Sequence, residues 1–440
     1  MGEIEFFRGR RTFCDGARRG RSLFSMAVSE VDIEAVQLFL ALGYVPGERT
    51  LFKGIKCLQV GKEDDIWGNK NKSSISIPSP IELKRILIES MENDLDFSKD
   101  QVVPLSGGID SRIVLGLMLE FVDAKKIQTY TFGTRGSYDY EIPNKIARSL
   151  GTKHTNFSSL DTHYTVEGLI RAAIASDGNT EVFHPLVLNR IRDYYGSNTV
   201  FWSGFAGDLV GGGFEYGNSD DPFVQNYEYD SRRAGYHMND VVLEKFRSVA
   251  GNGEKFGDTI TKTEAIFWEN HVERYTAHHI FRNDMTIVAP LVYYPFLRLF
   301  FQADPELRRG KKFFNSTFSY LFPELFSFAT KDYGFRHSKN KYRHASHVAD
   351  FYLRSFLWRL SPARFSHPNA AYIDMRSAIN ERQDVAQCID LLLDDISSRK
   401  ILDSARVSNI LKEHRNQTSD NTKDLINIAS LEVILKAAGI

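Results

Sequence analysis

The feature that most constrains the fold of this chain is the stretch of residues 102–120, VVPLSGGIDSRIVLGLMLE. A short apolar run comes first, the small residues Ser106, Gly107 and Gly108 follow, and a second apolar run of helical length begins at Ile113. This order predicts a strand, a tight loop and a helix. Glycines let a backbone turn sharply and approach an anion without a Cβ in the way. A loop of this kind at the start of a helix is typical of a phosphate site.

The polar residues of this loop indicate what it binds. We expect the backbone N–H groups of the loop and of the first helical turn to be unpaired, because a helix start offers them no acceptor. Together with the helix dipole they form a seat for phosphate or pyrophosphate, and Ser106 and Ser111 add hydroxyl donors. Asp110 would repel an anion, so its presence indicates a Mg²⁺ ion that bridges it to phosphate oxygens. A plain Gly-Gly turn capped by Asp110 and Ser111 is the structural alternative.

The full SGGxDS pattern between strand and helix resembles the pyrophosphate loop of the N-type ATP pyrophosphatases, and its surroundings resemble the asparagine-synthetase-like branch. No lysine follows the glycines, so the kinase and GTPase type of phosphate loop is excluded. The resemblance implies ATP and Mg²⁺ as cofactors. It also implies that Leu105 and Phe132 contact the adenine, although a buried aromatic such as Phe132 is by default plain core. The implied phosphate-binding residues are Ser106, Gly107, Gly108, Asp110 and Ser111.

A second glycine-rich loop, SGFAGDLVGGG at residues 203–213, resembles the SGEGADELFGGY motif of asparagine synthetases. Asp208 matches the magnesium-binding aspartate of that motif. The resemblance therefore implies a metal site formed by Asp110 and Asp208, with Ser203 and Gly204 at the nucleotide. A plain glycine-rich turn is the structural alternative here.

The chain departs from the family pattern at several positions. The first Glu of the second motif is Phe205 here, and the Glu after its Asp is Leu209, which counts against asparagine itself as the product. Residues 137–154, SYDYEIPNKIARSLGTKH, resemble a family helix that carries an Asp-Glu pair. Tyr140 stands at the Asp position and Glu141 keeps the Glu.

The segment TKDYGF at residues 330–335 resembles a basic K-x-GF segment of the family, with its lysine displaced by one residue. The resemblance implies Lys331 as the catalytic lysine beside the acyl-adenylate. It leaves Glu141 or Tyr333 as the group that takes a proton from the amine. A surface lysine near a turn is the alternative reading of Lys331. The substitutes for its role are Lys311, Lys312 and Lys339.

Strand-like and helix-like segments alternate after residue 80, which predicts an α/β fold with a parallel sheet and ligand loops at its carboxyl edge. A capping box that starts at Ser79 predicts a helix ending near Asn93. The further predicted strands are residues 127–132 and 199–203, and the further predicted helices are residues 140–150, 165–176, 184–195 and one long helix over 262–290. Residues 68–80 are predicted to be a linker, residues 214–258 an insertion or lid, and residues 345–440 mostly helical.

The N-terminal part indicates a remnant of a second domain. Residues 39–61 resemble the end of the glutaminase domain of glutamine-dependent asparagine synthetases. The nucleophile of that family is the cysteine directly after the initiator Met, where this chain has Gly2, and Cys14 is too far inside to supply an N-terminal thiol. We therefore expect no glutaminase activity of its own. The predicted organisation is a glutaminase remnant at residues 1–67, an adenine nucleotide α-hydrolase-like (PP-loop) synthetase domain at 80–340 and a helical extension at 341–440.

Composition excludes several classes of protein. The 440 residues are 42% hydrophobic and 25% charged, as in ordinary globular proteins, and a net charge of −1 offers no basic surface for nucleic acid. No apolar run reaches the roughly 18 residues that a membrane span needs, and no signal-peptide core is present. The three cysteines form no CxxC pair, which favours a reducing compartment. We expect a cytoplasmic protein with neither nucleic acid nor a membrane as partner. Core or solvated side chains, not metal ligands, are expected at His271, His278 and His279.

The resemblance implies a ligase that forms C–N bonds. ATP adenylates a small-molecule or peptide carboxylate, pyrophosphate leaves, and an amine or ammonia then gives the amide and AMP. The nitrogen source stays open between free ammonia, a separate glutaminase and an amine of the substrate, as in lasso-peptide and β-lactam synthetases. Amidation of sugar acids is a further family use, and the oligomeric state, a homo-oligomer included, stays open. The rivals are tRNA thiolation or lysidine formation and a nucleotide-binding protein without catalysis; retention of Asp110 and Asp208 counts against the last.

Overall fold

The computed structural model describes residues 2–4, 23–25, 30–57, 77–213, 219–233, 239–256, 260–331, 341–360, 367–370 and 373–440. The strands in these ranges are β1 (Gly2–Ile4), β2 (Ile55–Cys57), β3 (Asp100–Pro104), β4 (Gln128–Gly133), β5 (Lys153–Ser158), β6 (Thr199–Trp202) and β7 (Thr286–Val288). The α-helices are α1 (Ile33–Leu42), α2 (Pro80–Glu92), α3 (Asp110–Met118), α4 (Tyr138–Leu150), α5 (Val166–Ala175), α6 (Leu186–Tyr195), α7 (Gly207–Val210), α8 (Pro222–Arg233), α9 (Asp240–Val249), α10 (Lys262–Phe267), α11 (Ala277–Ile280), α12 (Tyr294–Phe300), α13 (Pro305–Arg308), α14 (Lys312–Leu321), α15 (Pro323–Phe326), α16 (Lys341–Leu360), α17 (Met375–Glu381), α18 (Gln383–Ser398), α19 (Ser404–Arg415) and α20 (Thr422–Ala437). A π-helix, Trp268–Thr276, joins α10 to α11.

A five-stranded parallel sheet organises the chain. Its strand order is β5-β4-β3-β6-β7, and β3 lies at the centre. Val102 of β3 aligns with Gln128 of β4 on one side and with Phe201 of β6 on the other. Because all the strands run the same way, the loops that follow β3 and β6 open beside each other at one edge. The predicted α/β fold with a parallel sheet is confirmed.

Helices cover both faces of this sheet. Successive side chains of a strand point to opposite faces, so Val103 packs into a large core with helices α2, α3 and α4, whereas Val102 faces the other way. Tyr130 and Phe201 share the face of Val102 and pack against Ile191 of α6. Burial on both faces is typical of a parallel sheet, and it leaves the carboxyl edge as the place where loops can form a site.

Most of the predicted elements of the sheet region agree with the structure within a few residues. The start of α2 differs in one respect. Ser79 is the residue before the helix, but its side chain makes no capping hydrogen bond, so the predicted capping box is wrong. The ring of Pro80 and the backbone bond from Leu83 N–H to the Ser79 carbonyl, 3.0 Å, fix the helix start instead.

The long helix predicted over residues 262–290 is also wrong. The chain forms α10, then the π-helix, then the single turn of α11, and it becomes extended at Phe281. Residues 286–288 form β7, which pairs with β6 at the edge of the sheet. Tertiary pairing decides the structure of this short segment, because a three-residue strand carries too little periodicity to be recognised in sequence.

The predicted remnant and the predicted helical extension share a core. Helix α1 packs against α20, and both contribute to a hydrophobic cluster with α5 and α18. Asn427 of α20 donates to the carbonyl of Leu40 at 2.9 Å, and the backbone N–H of Val182 donates to Ser430 Oγ at 3.1 Å. The mostly helical C-terminal part is confirmed over the described residues. The predicted domain boundaries and the glutaminase resemblance stay predictions, and the linker of residues 68–76 lies outside the described residues.

Two features bear on the class of protein. Within the described ranges, no helix combines the length and the apolar character that a membrane crossing requires. Cys57 and Cys388 are buried free thiols, and Cys14 lies outside the described residues. Burial raises the pKa of both thiols, that of Cys388 to about 11, so neither is activated as a nucleophile.

Candidate functional site

The first site element is the loop of residues 105–109 between β3 and α3. The sequence predicts that its backbone N–H groups are unpaired, and this prediction is wrong. Three of these groups donate to side chains. Ser106 N–H donates to Ser111 Oγ at 3.1 Å, Gly107 N–H to Asp139 Oδ1 at 2.9 Å, and Gly108 N–H to Ser106 Oγ at 3.2 Å. Partly buried donors need acceptors, and short polar side chains supply them here. The loop is therefore held in shape before any anion arrives.

The second element is the loop of residues 203–213, which follows β6 and contains α7. A Cβ on Gly204 would lie 2.7 Å from the carbonyl carbon of Asp110, and a Cβ on Gly207 would lie 2.5 Å from Asp110 Cγ. Real Cβ atoms do not approach that closely, so both positions require glycine. The small residues of the second loop thus allow it to pack directly on the first, beside the Asp110 side chain.

A lysine lies between the two acidic side chains of these loops. Lys311 Nζ is 3.2 Å from Asp110 Oδ1 and also contacts Asp208 Oδ1. The Lys311 side chain is 4% exposed, whereas those of Asp110 and Asp208 are 18% and 81% exposed. Burial alone would lower the pKa of Lys311, but the two carboxylates outweigh it and hold the pKa above its usual value. The ammonium therefore stays charged and neutralises part of the acidic pair.

The backbone of Lys311 shows that this placement has a cost. Its φ is 62°, in the left-handed region, which costs a residue with a Cβ about 1–2 kcal/mol. Sequence reasoning named Lys311 only as a substitute for Lys331 and missed its place between the acids. The signal was weak, since it consisted of the Gly-Lys-Lys run at residues 310–312 after a short helix.

The acidic pair also meets the chemistry of a magnesium site. Among the described residues, no group of three or more His, Cys, Asp and Glu side chains could hold a metal ion. Mg²⁺ does not need such a group when a nucleotide is bound, because it takes one or two carboxylates together with phosphate oxygens and water. Asp110 and Asp208, on touching loops at one sheet edge, fit that donor set.

Lys331 lies beside the first loop, and its predicted role at the acyl-adenylate stays a prediction. Its backbone N–H donates to the Gly107 carbonyl at 3.0 Å, and its Nζ is 3.0 Å from Asp139 Oδ2. Asp139 therefore holds both the Gly107 N–H and the Lys331 ammonium. Sequence reasoning missed Asp139, which stands one residue before the Tyr140 position that it examined. The available signal was the acidic pair Asp139 and Glu141 in the first turn of α4.

A buried arginine fixes the segment that carries Lys331. The Arg112 guanidinium, 1% exposed, donates to the carbonyls of Gly107 at 3.1 Å and Phe328 at 3.1 Å. It also donates to the carbonyls of Leu325 and Ala329. Burial lowers the pKa of Arg112 to about 10, which still leaves it protonated at neutral pH. The guanidinium thus ties the chain before Lys331 to the loop.

Other predicted groups lie elsewhere. Glu141 Oε1 accepts the backbone N–H of Gly136 at 3.0 Å, and Glu141 is not among the residues that line the cavity between the loops. Its placement gives no support to a role as proton acceptor. Lys312 is exposed, while Tyr333 and Lys339 lie outside the described residues.

The two loops form one wall of a cavity of about 410 Å³. This is the size of an ordinary small-molecule site. Most of the sequence-predicted nucleotide and metal residues line it together, while Gly107 and Gly108 belong to the loop itself. The lining members of that set are Leu105, Ser106, Asp110, Ser111, Phe132, Ser203, Gly204 and Asp208.

A second cavity of about 490 Å³ adjoins the first. The two cavities share six lining residues, which are Pro104, Tyr130, Phe132, Ser203, Thr276 and Ile280. Most of the remaining lining of the second cavity is apolar or aromatic, namely Pro185, Val187, Leu188, Phe201, Met285 and Ile287. The pair of cavities offers a polar compartment at the loops and an apolar compartment over the sheet.

Two buried acid–histidine groups complete the site, and sequence reasoning did not find either. In the first cavity, His271 Nδ1 lies 2.6 Å from Asp230 Oδ1. At the second cavity, Glu181 contacts His184 Nδ1 and lies 3.4 Å from His279 Nε2. Burial alone would raise the pKa of Glu181, but the two histidines outweigh it and hold that pKa well below its usual value. Glu181 and His184 are three residues apart in sequence, whereas the contacts of Asp230 with His271 and of Glu181 with His279 join separate elements that no sequence spacing marks.

Comparison with known proteins finds similarity over part of the chain. Residues 82–278 match the family model described as asparagine synthase. A protein of Methanocaldococcus jannaschii named "Putative asparagine synthetase (glutamine-hydrolyzing) 2" is 33% identical over an alignment of 125 residues, and the match covers 25% of this chain. The chain spans about a quarter (24%) of the length of that curated relative. The structure of NMN synthetase from Francisella tularensis is similar at 15% identity and a TM-score of 0.22, covering 40% of this chain and 96% of that one. A TM-score of 0.22 is too low to establish a shared fold.

Proposed function

Since the chain carries an asparagine-synthetase-like domain over residues 82–278, we propose that it is an ATP-dependent synthetase that adenylates a carboxylate and transfers the acyl group to an amine or ammonia. Pyrophosphate and AMP are then the products of ATP. The observation that carries this proposal is the meeting of Asp110, Asp208 and Lys311 at two touching loops that line one cavity.

The charges at these loops suit pyrophosphate as a leaving group. Attack of a carboxylate on the α-phosphorus develops negative charge on the departing β and γ phosphates, and fixed positive charge at that position lowers the barrier. Lys311 supplies an ammonium there, and Lys331 lies beside Gly107 of the first loop. Asp110 and Asp208 would hold Mg²⁺, which supplies Lewis-acid stabilisation of the same phosphates when it is bound.

The two cavities suit the two ends of an adenylate. The apolar cavity over Tyr130 and Phe201 has the character and volume that an adenosine needs, with Phe132 at the boundary. In this arrangement the phosphates and the acyl group occupy the cavity at the loops. Phe205 and Leu209 add apolar surface to the cavity at the loops, which favours an acyl group other than that of aspartate. Burial in the cavity also keeps water from the acyl-adenylate.

Lys331 is the proposed group for the acyl-transfer step. A fixed ammonium near the acyl carbonyl stabilises the oxyanion that forms on attack, and it acts most strongly where water is excluded. The contacts of Lys331 with Gly107 and Asp139 support a position beside the loop. The nitrogen donor follows from the substrate, with free ammonia, a separate glutaminase and a substrate amine as the candidates.

The proposal is tested by exchange of radioactive pyrophosphate into ATP in the presence of Mg²⁺ and a panel of carboxylic acids. We expect exchange with one class of acid, and AMP with pyrophosphate as the products once ammonia is added. Asp110→Asn should abolish the exchange, while Asp161→Asn, at an exposed carboxylate that lines neither cavity, should leave it unchanged. Formation of ADP and phosphate, or ATP binding without exchange for any acid, would refute the proposed function.

A further inference from the structure

The amide-forming step needs a proton acceptor near neutral pH. An amine that attacks an acyl carbon must give up an N–H proton, and a side chain with a pKa near 7 does this best. The loop carboxylates are poor candidates, because Asp110 and Asp208 are engaged by Lys311. Phe205, in the second loop, packs edge-to-face on Phe281 and carries no acid or base. Among the described residues that line the first cavity, His271 is the one that carries an imidazole.

The His271 ring is fixed by its surroundings. Its Nδ1 lies 2.6 Å from Asp230 Oδ1, and the two side chains are 6% and 2% exposed. The ring stacks on Phe267 with centroids 4.6 Å apart and an interplanar angle of 15°. Tyr229 meets it edge-on at 5.4 Å. Imidazole acting as a base needs this kind of orientation by a carboxylate, which also settles which nitrogen carries the proton.

The Asp230 carboxylate is in turn held from the far side. The Tyr44 hydroxyl donates to Asp230 Oδ2, and burial followed by the Asp230 charge raises the pKa of Tyr44 well above its usual value. Tyr44 therefore stays a neutral donor across the working pH range. Asp230 keeps one oxygen for the tyrosine and one for His271. In the neutral ring, Nδ1–H then donates to Asp230 and Nε2 carries the lone pair.

Several titratable side chains lie near His271. His271 and Asp230 line a small cavity of about 20 Å³, which is large enough for about one water molecule. Among the residues that the structure describes, the other titratable groups near His271 belong to α8, the π-helix, the segment after α1, the acid–histidine group of the second cavity, helix α20 and the two loops. They are Tyr229, Tyr275, Tyr44, Glu181, Lys423, Asp110 and Asp208.

We propose that His271, oriented by Asp230, is the general base that takes the proton from the attacking amine, an inference that rests on the proposed function. As the amine nitrogen bonds to the acyl carbon, its N–H bond breaks and the proton passes to His271 Nε2. The bond from the acyl carbon to the AMP oxygen then breaks, and AMP leaves with that electron pair. The imidazolium is stabilised by Asp230 and returns its proton to solvent. His271 is the catalytic residue in this step, and Asp230 is a positioning residue.

The test separates the two half-reactions and uses two nucleophiles. For the acid that gives the strongest pyrophosphate exchange in the wild type, amide formation is followed with ammonia and with hydroxylamine. Hydroxylamine is unprotonated at neutral pH and is a strong nucleophile, so it depends least on a base. In His271→Gln we expect exchange within about threefold of the wild type, a loss of about 10²–10⁴-fold with ammonia and a loss of less than tenfold with hydroxylamine. The matched control is His163→Gln, an exposed histidine away from the cavity.

A second variant covers the case in which His271→Gln does not fold. Tyr44→Phe keeps the ring and removes the donor to Asp230, so the carboxylate holds the imidazolium more strongly. The acid limb of the pH profile for amide formation should move to higher pH, while exchange keeps its wild-type profile.

The outcomes distinguish the possible errors. Equal losses with ammonia and hydroxylamine, or no loss with either, would overturn the role of His271, as would an unmoved acid limb in Tyr44→Phe. Absence of exchange in the wild type with every acid would refute the proposed function, and the inference with it.

Discussion

Replacing Lys311 with methionine removes the positive charge between the two loop carboxylates while keeping most of the side-chain volume. At 3.2 Å from Asp110 Oδ1, a unit charge in an effective dielectric constant of about 20 gains about 5 kcal/mol. Desolvation of the ammonium offsets most of that gain, but removing one partner of a buried ion pair still costs about 3–5 kcal/mol. Because the Asp208 side chain is 81% exposed, water screens its attraction to Lys311. We therefore expect the free energy of unfolding to fall by about 2–3 kcal/mol.

The assay is thermal unfolding in EDTA and in excess Mg²⁺. An unfolding entropy of about 2.1 cal/mol/K per residue means that 1 kcal/mol shifts the melting temperature of a 440-residue chain by about 1 °C. Lys311→Met should therefore melt about 2–3 °C below the wild type in EDTA. Mg²⁺ should raise the melting temperature of the variant more than that of the wild type, because in the variant no ammonium competes with the metal for the two carboxylates. Lys312→Met, at the exposed neighbour, is the control.

Two results would refute this reasoning. The first is a variant that melts with the wild type in EDTA, since the ammonium would then contribute nothing to the folded state. The second is an equal gain from Mg²⁺ in both proteins, since Lys311 would then not compete with the metal for Asp110 and Asp208.

Three further predictions concern the site and its stability. Asp208→Asn should lower amide formation by at least about 10²-fold, as expected for loss of one preorganised charged group; steady-state product analysis checks it, and unchanged turnover would contradict it. Lys331→Met should lower amide formation by about 10²-fold while calorimetric titration still shows ATP binding; a normal rate would leave Lys331 as a surface lysine. Burial lowers the pKa of His278 to about 3. As pH falls below about 6.5, the histidine therefore takes up a proton in the unfolded state but not in the folded state. The free energy of unfolding should then fall by about 2 kcal/mol by pH 5. Calorimetry between pH 7 and pH 5 should show this loss of stability in the wild type and a smaller loss in His278→Asn. Equal losses in the two proteins would show that His278 is not the source.

The sheet and the two loops were predictable because their signals are local. The apolar run, the glycines and the acidic residue of the first loop stand within ten residues, and that spacing is characteristic of a strand, a turn and a helix. The loop after β6 repeats the same order. Once the sheet is parallel, the meeting of Asp110 and Asp208 at one edge follows from topology alone.

The contacts that decide the chemistry were not predictable in this way. Lys311 is 201 residues from Asp110 and 103 from Asp208 in sequence. The pair of Asp230 and His271 joins α8 to a π-helix whose widened turn no periodicity announces. Such contacts form when separate elements pack, and a single sequence records no trace of them. The same holds for the hydrogen bonds within the first loop, where an accepting side chain such as Asp139 comes from a different helix.

Those hydrogen bonds set how tightly the first loop can hold an anion. Because Ser111, Asp139 and Ser106 already accept its three N–H groups, an arriving phosphate oxygen exchanges hydrogen bonds instead of adding them. The gain for each exchanged bond is then only the difference between two acceptors, well below the roughly 0.5–1.5 kcal/mol of a newly formed bond. For the proposed synthetase we therefore expect low affinity for inorganic phosphate and quick dissociation of pyrophosphate. Selectivity for a whole nucleotide would then come from the adenosine end, and accumulated pyrophosphate would inhibit turnover only weakly.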